Sequence, residues 1–146
     1  MLRRKLLNLL APLALMACAE GAAAATLVVT KTASCGCCGK WVEHMRKAGF
    51  AVTVHVVEDV TPAATRLGVP ARLRSCHSSE IGGYAIEGHV PAADVKRLLA
   101  NRPKGAGLAV PGMVAGSPGM EVGGHSPGYK VLLFDKDGQT KVFATH

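Results

Sequence analysis

Short β-branched, apolar runs alternate along this chain with longer stretches whose apolar residues recur at helical spacing, which predicts an α/β fold. The run Thr26–Thr32 is apolar and β-branched and predicts a buried strand. After a short turn, Lys40–Lys47 predicts a helix with Trp41 and Met45 on one side, and Gly49 stands where a C-terminal cap belongs. The chain therefore opens with a strand, a turn and a helix.

The alternation continues through the middle of the chain. The elements expected there are a strand over Phe50–Val57, a short helix from Thr61 to Leu67, a strand opening at Val69–Leu73, a turn at Gly82-Gly83, a strand over Tyr84–Gly88 and a helix over Pro91–Ala100. Thr61 can cap the first helix, and Pro62 suits its first turn. The second helix is amphipathic and is expected to turn three apolar side chains inward and three charged ones outward, namely Val95, Leu98 and Leu99 against Asp94, Lys96 and Arg97.

The last third of the chain differs in character. Residues Arg102 to Gly128 hold many glycines and prolines without periodicity, which predicts a long ordered loop. Two strands, Tyr129–Asp135 and Thr140–Thr145, flank a turn at Asp135–Gly138 and are expected to form a hairpin.

The first 25 residues have the pattern of a secretory signal peptide. A basic start, Met1–Lys5, precedes an apolar run, Leu6–Ala17, that is too short for a stable membrane anchor, and small residues at Ala22–Ala25 offer cleavage sites. The sequence thus predicts a periplasmic protein whose single domain spans residues 26–146. Cys18 lies close to a lipoprotein processing pattern, so lipidation there is the alternative; without it, no contact with the membrane is expected after cleavage.

Composition narrows the class of protein. Apolar residues make up 49% of the 146 residues, but with three Phe, two Tyr and one Trp the core must be mainly aliphatic. The formal net charge is +7, and removing the first 25 residues leaves 14 basic and 9 acidic residues, a net +5. The basic residues are scattered and are not interleaved with aromatic ones, so nucleic acid is not an expected partner.

Three cysteines, Cys35, Cys37 and Cys38, occupy the turn between the first strand and the first helix. Unpaired N–H groups and the helix dipole at such a position stabilise thiolates, which are both nucleophiles and metal ligands. Cys35 and Cys38 form a C-x-x-C pair, as in dithiol redox proteins. All three thiolates together instead favour a soft metal, copper(I) above all. A structural disulfide is the third alternative, although a packed staple rarely needs three clustered sulfurs.

The order strand, thiol turn, helix, strand, helix, two strands, helix is that of thioredoxin and glutaredoxin. The predicted fold class is therefore α/β, a thioredoxin-like mixed sheet flanked by helices, with a C-terminal Gly/Pro-rich loop and a β-hairpin. In that fold a proline before the third strand, usually cis, packs against the thiol turn, and Pro70 is the matching residue.

Further soft ligands lie downstream of the thiol turn. Cys76-His77 follows the predicted third strand, so the fold is expected to bring the pair towards the turn; the alternative is a buried thiol beside a surface histidine. His89 precedes a helix and is a further candidate ligand. His44 is two helical turns beyond Cys37, so it either binds a neighbouring ion in a cluster or covers the tryptophan.

Two methionines in the loop are also candidates. Met113 and Met120 occur in matching Pro-Gly-Met settings, where core methionines are not expected, and His125 shares their loop. A thioether selects copper(I), and imidazole suits copper(II). We predict that the two methionines form a soft-ligand flank beside the thiol turn; plain packing is the alternative. No arrangement of Asp and Glu indicates magnesium or calcium.

Taken together, these residues make the chain resemble the CopG-like periplasmic copper-resistance proteins. The resemblance runs from about Leu27 to Phe143, and the motifs that carry it are Cys35-Gly36-Cys37-Cys38-Gly39 with Trp41 and His44-Met45, Ser75-Cys76-His77, Gly83-Tyr84, Glu87-Gly88-His89-Val90-Pro91, Gly107–Met113 and Gly116–Glu121. It implies a thioredoxin-like periplasmic domain, a thiolate-bridged copper cluster near the C-x-C-C turn and a role in copper tolerance with copper redox.

The first hypothesis is accordingly a copper-binding protein that cycles copper(I) and copper(II) by electron transfer, in effect a copper oxidoreductase. Its expected ligands are Cys35, Cys37, Cys38, Cys76, His77, His44, His89, Met113, Met120 and His125. The alternatives are a thiol-disulfide oxidoreductase using the C-x-x-C pair without metal, and a redox-passive copper(I) chaperone. Besides copper ions, the expected partner is another periplasmic copper protein or a redox protein.

Overall fold

The computed structural model describes residues 25–121, 123 and 127–146, so most of the predicted signal peptide, with Cys18, and also His125 lie outside the described residues. Its elements in chain order are β1 Leu27–Thr32, α1 Gly36–Lys47, β2 Val52–Val57, α2 Thr61–Arg66, a 3-10 turn Ala71–Leu73, β3 His77–Ile81, β4 Tyr84–Glu87, α3 Ala92–Asn101, β5 Gly107–Ala109, β6 Lys130–Phe134 and β7 Thr140–Thr145. No helix in these ranges is both long and apolar enough to cross a bilayer.

The seven strands form one sheet in the order β2-β1-β3-β4-β5-β6-β7. The pairs β1–β2 and β4–β5 are parallel, and the other neighbours are antiparallel. The predicted fold class is therefore confirmed: the chain is a mixed sheet with helices packed on it, consistent with a thioredoxin-like domain. The predicted C-terminal hairpin, β6–β7, extends the sheet on the side away from β1.

Both faces of the sheet are covered by apolar side chains. On one face, Trp41 and Met45 of α1 join Ile86 and the apolar side of α3 in the main core. On the other face, Ala64 of α2 belongs to a smaller cluster with Ala85 and Phe134. Because Ala85 and Ile86 are consecutive in β4, the two clusters must lie on opposite faces.

Helix α1 ends as its sequence predicts but begins earlier. Gly49 has φ +93°, its N–H donates to the Arg46 carbonyl, and the Phe50 N–H donates to the Met45 carbonyl. These two bonds form the glycine-terminated helix end. At the other end the helix starts at Gly36, with Cys35 as its N-cap residue. Two of the three clustered cysteines are therefore in the first helical turn rather than in a preceding loop.

The prediction of a strand at Val69–Leu73 is wrong, and so is the part assigned to Pro70. The Leu73 N–H donates to the Pro70 carbonyl at 2.8 Å, which closes a 3-10 turn where the strand was expected. The described residues have no cis peptide bond, and Pro70 lies beside the hairpin turn, 3.6 Å from where a Cβ at Gly138 would be. The residue that immediately precedes the third strand is Cys76.

Three finer expectations also differ. Asp94 is buried, not exposed, because its carboxylate pairs with Arg97 at 2.9 Å and with His146 at 2.7 Å. Thr61 does not cap α2; its N–H instead donates to the Asp59 carboxylate at 2.8 Å. The loop over Arg102–Gly128 contains strand β5, which is held beside β4 by close backbone contact.

Candidate metal centre

Four cysteine sulfurs meet where α1 begins and β3 is about to start. Cys35, Cys37 and Cys38 come from the helix start, Cys76 comes from the segment before β3, and all four Sγ atoms lie within 4.8 Å of one another. The Cys37 Sγ is 3.5 Å from the Cys35 Sγ and 4.0 Å from the Cys76 Sγ. The predicted approach of Cys76 to the thiol turn is thus what the fold produces.

Two of these sulfurs are joined. Cys35 and Cys38 form a disulfide, whereas Cys37 and Cys76 are free and half-buried. The described form is therefore the oxidised state of the C-x-x-C pair, with a two-thiol remainder beside it. Adding two electrons and two protons would release all four sulfurs as thiols in one cluster.

The environment of the thiols differs from one to the next. Cys38 is fully buried against the core, and its Sγ is 3.6 Å from the Cys76 carbonyl oxygen. Burial, reinforced by the neighbouring Cys37, raises the pKa of Cys76 to about 11. Without a metal, Cys76 is therefore a protonated thiol at neutral pH, and a bound cation would have to displace its proton.

His89 is oriented towards the cluster. Its Nε2 is 3.1 Å from the Cys76 Sγ, and its Nδ1 is 2.7 Å from the Pro118 carbonyl oxygen. A carbonyl can only accept, so Nδ1 carries the proton and Nε2 presents its lone pair to the sulfur. Burial lowers the pKa of His89, although the hydrogen bond to Pro118 opposes that shift. A neutral imidazole held by its other nitrogen is the usual state of a metal-binding histidine.

His77 lies on the core side of the same sulfur and is fully buried, so the expectation of a surface histidine in the alternative interpretation is wrong. Its Nδ1 is 3.5 Å from the Cys76 Sγ, and its ring centroid is 4.4 Å from that of Trp41. Burial is the main reason that the pKa of His77 falls to about 3. Its Nε2 has no hydrogen-bond partner. Cys76, His77 and His89 together form a second group of potential metal ligands, which shares Cys76 with the four-sulfur group.

His44 is engaged elsewhere. Its Nε2 accepts the N–H of Ala92 at 3.0 Å, at the start of α3. Burial lowers the pKa of His44, partly opposed by the charge of Glu121. The lone pair that a metal would need is thus occupied, a third role that sequence reasoning did not anticipate.

The loop that carries both methionines crosses the site. Gly112, just before Met113, donates its N–H to the Arg74 carbonyl at 3.2 Å and accepts the Ser75 hydroxyl. Gly119, just before Met120, packs so tightly that a Cβ there would lie 2.8 Å from the Cys37 carbonyl oxygen. Met113 is 59% exposed and Met120 is half-buried, and neither belongs to the two core clusters.

Sequence reasoning missed two groups that support the site. One is the Pro118 carbonyl, which fixes the His89 ring. The other is the buried carboxylate of Glu87, which accepts the N–H of Ser75 at 2.7 Å. A lone acidic residue in an otherwise apolar strand, Tyr84–Glu87, was the available signal for the second group.

Comparison with known proteins agrees with this geometry. The profile of a family described as "Protein of unknown function, DUF411" matches residues 73–120. Two solved structures are similar over most of the chain. The "Copper resistance protein copG- Form 2" is 44% identical, with a TM-score of 0.80 over 85% of this chain and 99% of that one. The "Copper resistance protein copG- Form 1" is 45% identical, with a TM-score of 0.78 over 83% and 96%. No curated protein matches. With this identity over nearly the full length of both structures, the chain belongs to the family of the CopG copper-resistance proteins.

Proposed function

We propose that this protein is a periplasmic copper-binding protein of copper tolerance, which holds copper(I) on the thiolates of Cys35, Cys37, Cys38 and Cys76. The observation that carries the proposal is the approach of these four sulfurs to within 4.8 Å of one another, three from one helix start and one from a distant segment. A structural disulfide needs two sulfurs, so the other two call for a different purpose.

The donor set fits copper(I). Thiolates and thioethers are soft ligands that select copper(I), and imidazole binds either copper oxidation state. Four thiolates at such short range repel one another unless cations lie between them. Several copper ions bridged by shared thiolates would neutralise that charge, which is the arrangement we propose.

The other candidate ligands differ in how well they are placed. His89 ranks first because its Nε2 lone pair already faces the Cys76 sulfur, and His77 follows. Met113 and Met120 form the soft flank, since the glycine before each methionine contacts the segments that carry the thiols. His44 ranks last among the described histidines because its Nε2 accepts a backbone N–H. We retain His125 as a ligand on the sequence argument alone.

Close copper ions bridged by thiolates suit electron transfer, so we propose that the protein interconverts copper(I) and copper(II). Export through a cleaved signal peptide rests on the N-terminal basic and apolar pattern, with lipidation at Cys18 as the variant of that proposal. The relatives named copper resistance proteins support copper as the metal.

The test is anaerobic reconstitution of the reduced protein with copper(I), followed by measurement of copper per chain. Two or more ions per chain are expected, with a large loss in the double variant Cys35→Ser/Cys38→Ser. Fewer than one ion per chain, unchanged in that variant, would sink the proposal. Recording the copper oxidation state through one reductant–oxidant cycle separates electron transfer from passive carriage, in which copper(I) persists throughout.

One observation favours a second candidate, a thiol-disulfide oxidoreductase. The C-x-x-C disulfide lies at a helix start, and the Cys37 Sγ is 3.5 Å from the Cys35 Sγ. A third thiol so close also invites scrambling, which is why we rank this function second. Insulin reduction by the metal-free reduced protein, fast without copper and abolished by copper, would favour it over the copper proposal.

A further inference from the structure

Glu87 is a carboxylate buried beneath the metal centre, at the end of β4. The residue is only 1% exposed. One carboxylate oxygen accepts the Ser75 N–H at 2.7 Å, and the other accepts the Ser78 hydroxyl at 2.6 Å. Ser78 is also its direct neighbour across the β3–β4 ladder.

The two partners of this carboxylate bracket a pair of candidate ligands. Ser75 precedes Cys76, and Ser78 follows His77, so the carboxylate holds both ends of the segment that presents them. Two residues after Glu87, His89 approaches the Cys76 sulfur directly. The end of β4 therefore fixes Cys76 twice, once through its backbone and once at its sulfur.

Ser75 is also confined from other directions. Gly88, with φ +69°, packs so closely that a Cβ there would lie 2.7 Å from the Ser75 Cβ. The Ser75 hydroxyl donates to the Gly112 carbonyl. A backbone gripped on three sides has little freedom, so the position of the next residue, Cys76, is set before any metal arrives.

Burying this carboxylate is costly, since burial penalises its charged form and raises its pKa, against the two serine hydrogen bonds and nearby Arg74. Both of its hydrogen bonds go to the ligand segment. We propose that Glu87 is a positioning residue, whose carboxylate holds Ser75 and Ser78 so that the Cys76 sulfur stays within reach of the other three sulfurs and of His89. This inference rests on the proposed copper site, and its metal-free consequence is a restrained Cys76.

Two substitutions separate reach from charge. Glu87→Gln keeps the length of the side chain and an oxygen for the Ser75 N–H but loses the charge. Glu87→Asp keeps the charge but is one methylene too short to hold both serines. Glu80→Gln is the matched control, because Glu80 lies on the same face of β3 in a partly exposed ion pair with Arg66.

The first readout needs no copper. With the disulfide intact, only Cys37 and Cys76 can be alkylated, and mass spectrometry gives the ratio of their labelling rates. We expect Glu87→Asp to raise the Cys76-to-Cys37 ratio about tenfold and Glu87→Gln to raise it less than about threefold. General loosening of the fold would raise both rates and leave the ratio unchanged.

The second readout is copper(I) affinity of the reduced protein, measured by competition with a chromogenic chelator. Glu87→Asp is expected to weaken binding about 10- to 100-fold, as is usual when the support of a ligand is lost, and Glu87→Gln to stay within about threefold of the unmodified protein. If the unmodified protein binds no copper(I), the proposed function fails, and the labelling ratio still decides the role of Glu87.

Other outcomes overturn the inference. Binding and labelling that survive in Glu87→Asp but fail in Glu87→Gln would mean that the charge matters and the reach does not. Variants that both match Glu80→Gln would mean that Glu87 has no positioning role. Should Glu87→Asp fail to fold, Ser78→Ala replaces it: that variant removes one of the two restraints, and an unchanged labelling ratio would refute the inference.

Discussion

The tight contact between Gly119 and the thiol turn gives the sharpest stability prediction. In Gly119→Ala the new Cβ would lie 2.8 Å from the Cys37 carbonyl oxygen and 2.9 Å from the Trp41 nitrogen. Both atoms belong to the backbone of α1 and cannot move aside alone. The residue also has φ +86°, which an alanine adopts at a cost of roughly 1–2 kcal/mol.

Overpacking of this kind costs about 1–3 kcal/mol, so the total expected for Gly119→Ala is about 2–5 kcal/mol. The control is Gly112→Ala in the same loop. Gly112 has φ +72° but open space around its Cβ position, so only the backbone cost applies. The smaller entropy of an unfolded alanine affects both variants alike and cancels in the difference.

The assay is thermal unfolding of the metal-free, disulfide-bonded protein, followed by the fluorescence of its single, buried tryptophan. For a domain of this size, about 1 kcal/mol corresponds to a shift of about 4 °C, so Gly119→Ala should melt about 4–12 °C below Gly112→Ala. Equal melting temperatures for the two variants would refute the claim that the loop is pressed onto α1.

The remaining predictions concern the ligands. His89→Ala should weaken copper(I) binding about tenfold or more, while His55→Ala on exposed β2 leaves it unchanged, as chelator competition will show. Met113→Ala and Met120→Ala should lower the melting temperature of the copper-bound form more than that of the metal-free form, because a plain core methionine would cost about 2–5 kcal/mol in both. The pKa of His77 is about 3 in the fold against 6.5 for the model imidazole, so its contribution to stability is present above pH 6.5 and is lost as the pH falls towards 3; denaturant titrations should show a shallower acid slope in His77→Phe. Thiol titration of the unfolded chain lacking its first 25 residues should give two thiols before reduction and four after it.

Sequence reasoning succeeded where a signal is long or chemically distinctive. Helix α1 and the β6–β7 hairpin follow from periodicity, and the C-x-C-C turn marks the site. Strand β5 escaped because three residues carry no period; it is a strand only because β4 lies beside it. Asp94 was expected outside because a charge on a helix usually faces water, and its partner His146 is 52 residues away.

The same limit applies to the site. That Cys76 would approach the thiol turn could be argued from the fold class, but its place immediately before β3 could not, since the 3-10 turn after Pro70 shifted the third strand along the chain. The occupied lone pair of His44 and the grip of Glu87 depend on contacts between distant elements. Such contacts leave no pattern in a single sequence.

The separation of the four cysteines along the chain also bears on the order of assembly. Cys35 and Cys38 are three residues apart, so they can meet in an unfolded chain, whereas Cys76 lies 39 residues from Cys37 and joins it only once β1 and β3 are paired. An unfolded chain can therefore close the local disulfide but cannot offer all four sulfurs to one cluster. The complete set of thiols exists only in molecules that have finished folding, so nascent or damaged copies would hold copper less tightly than intact ones.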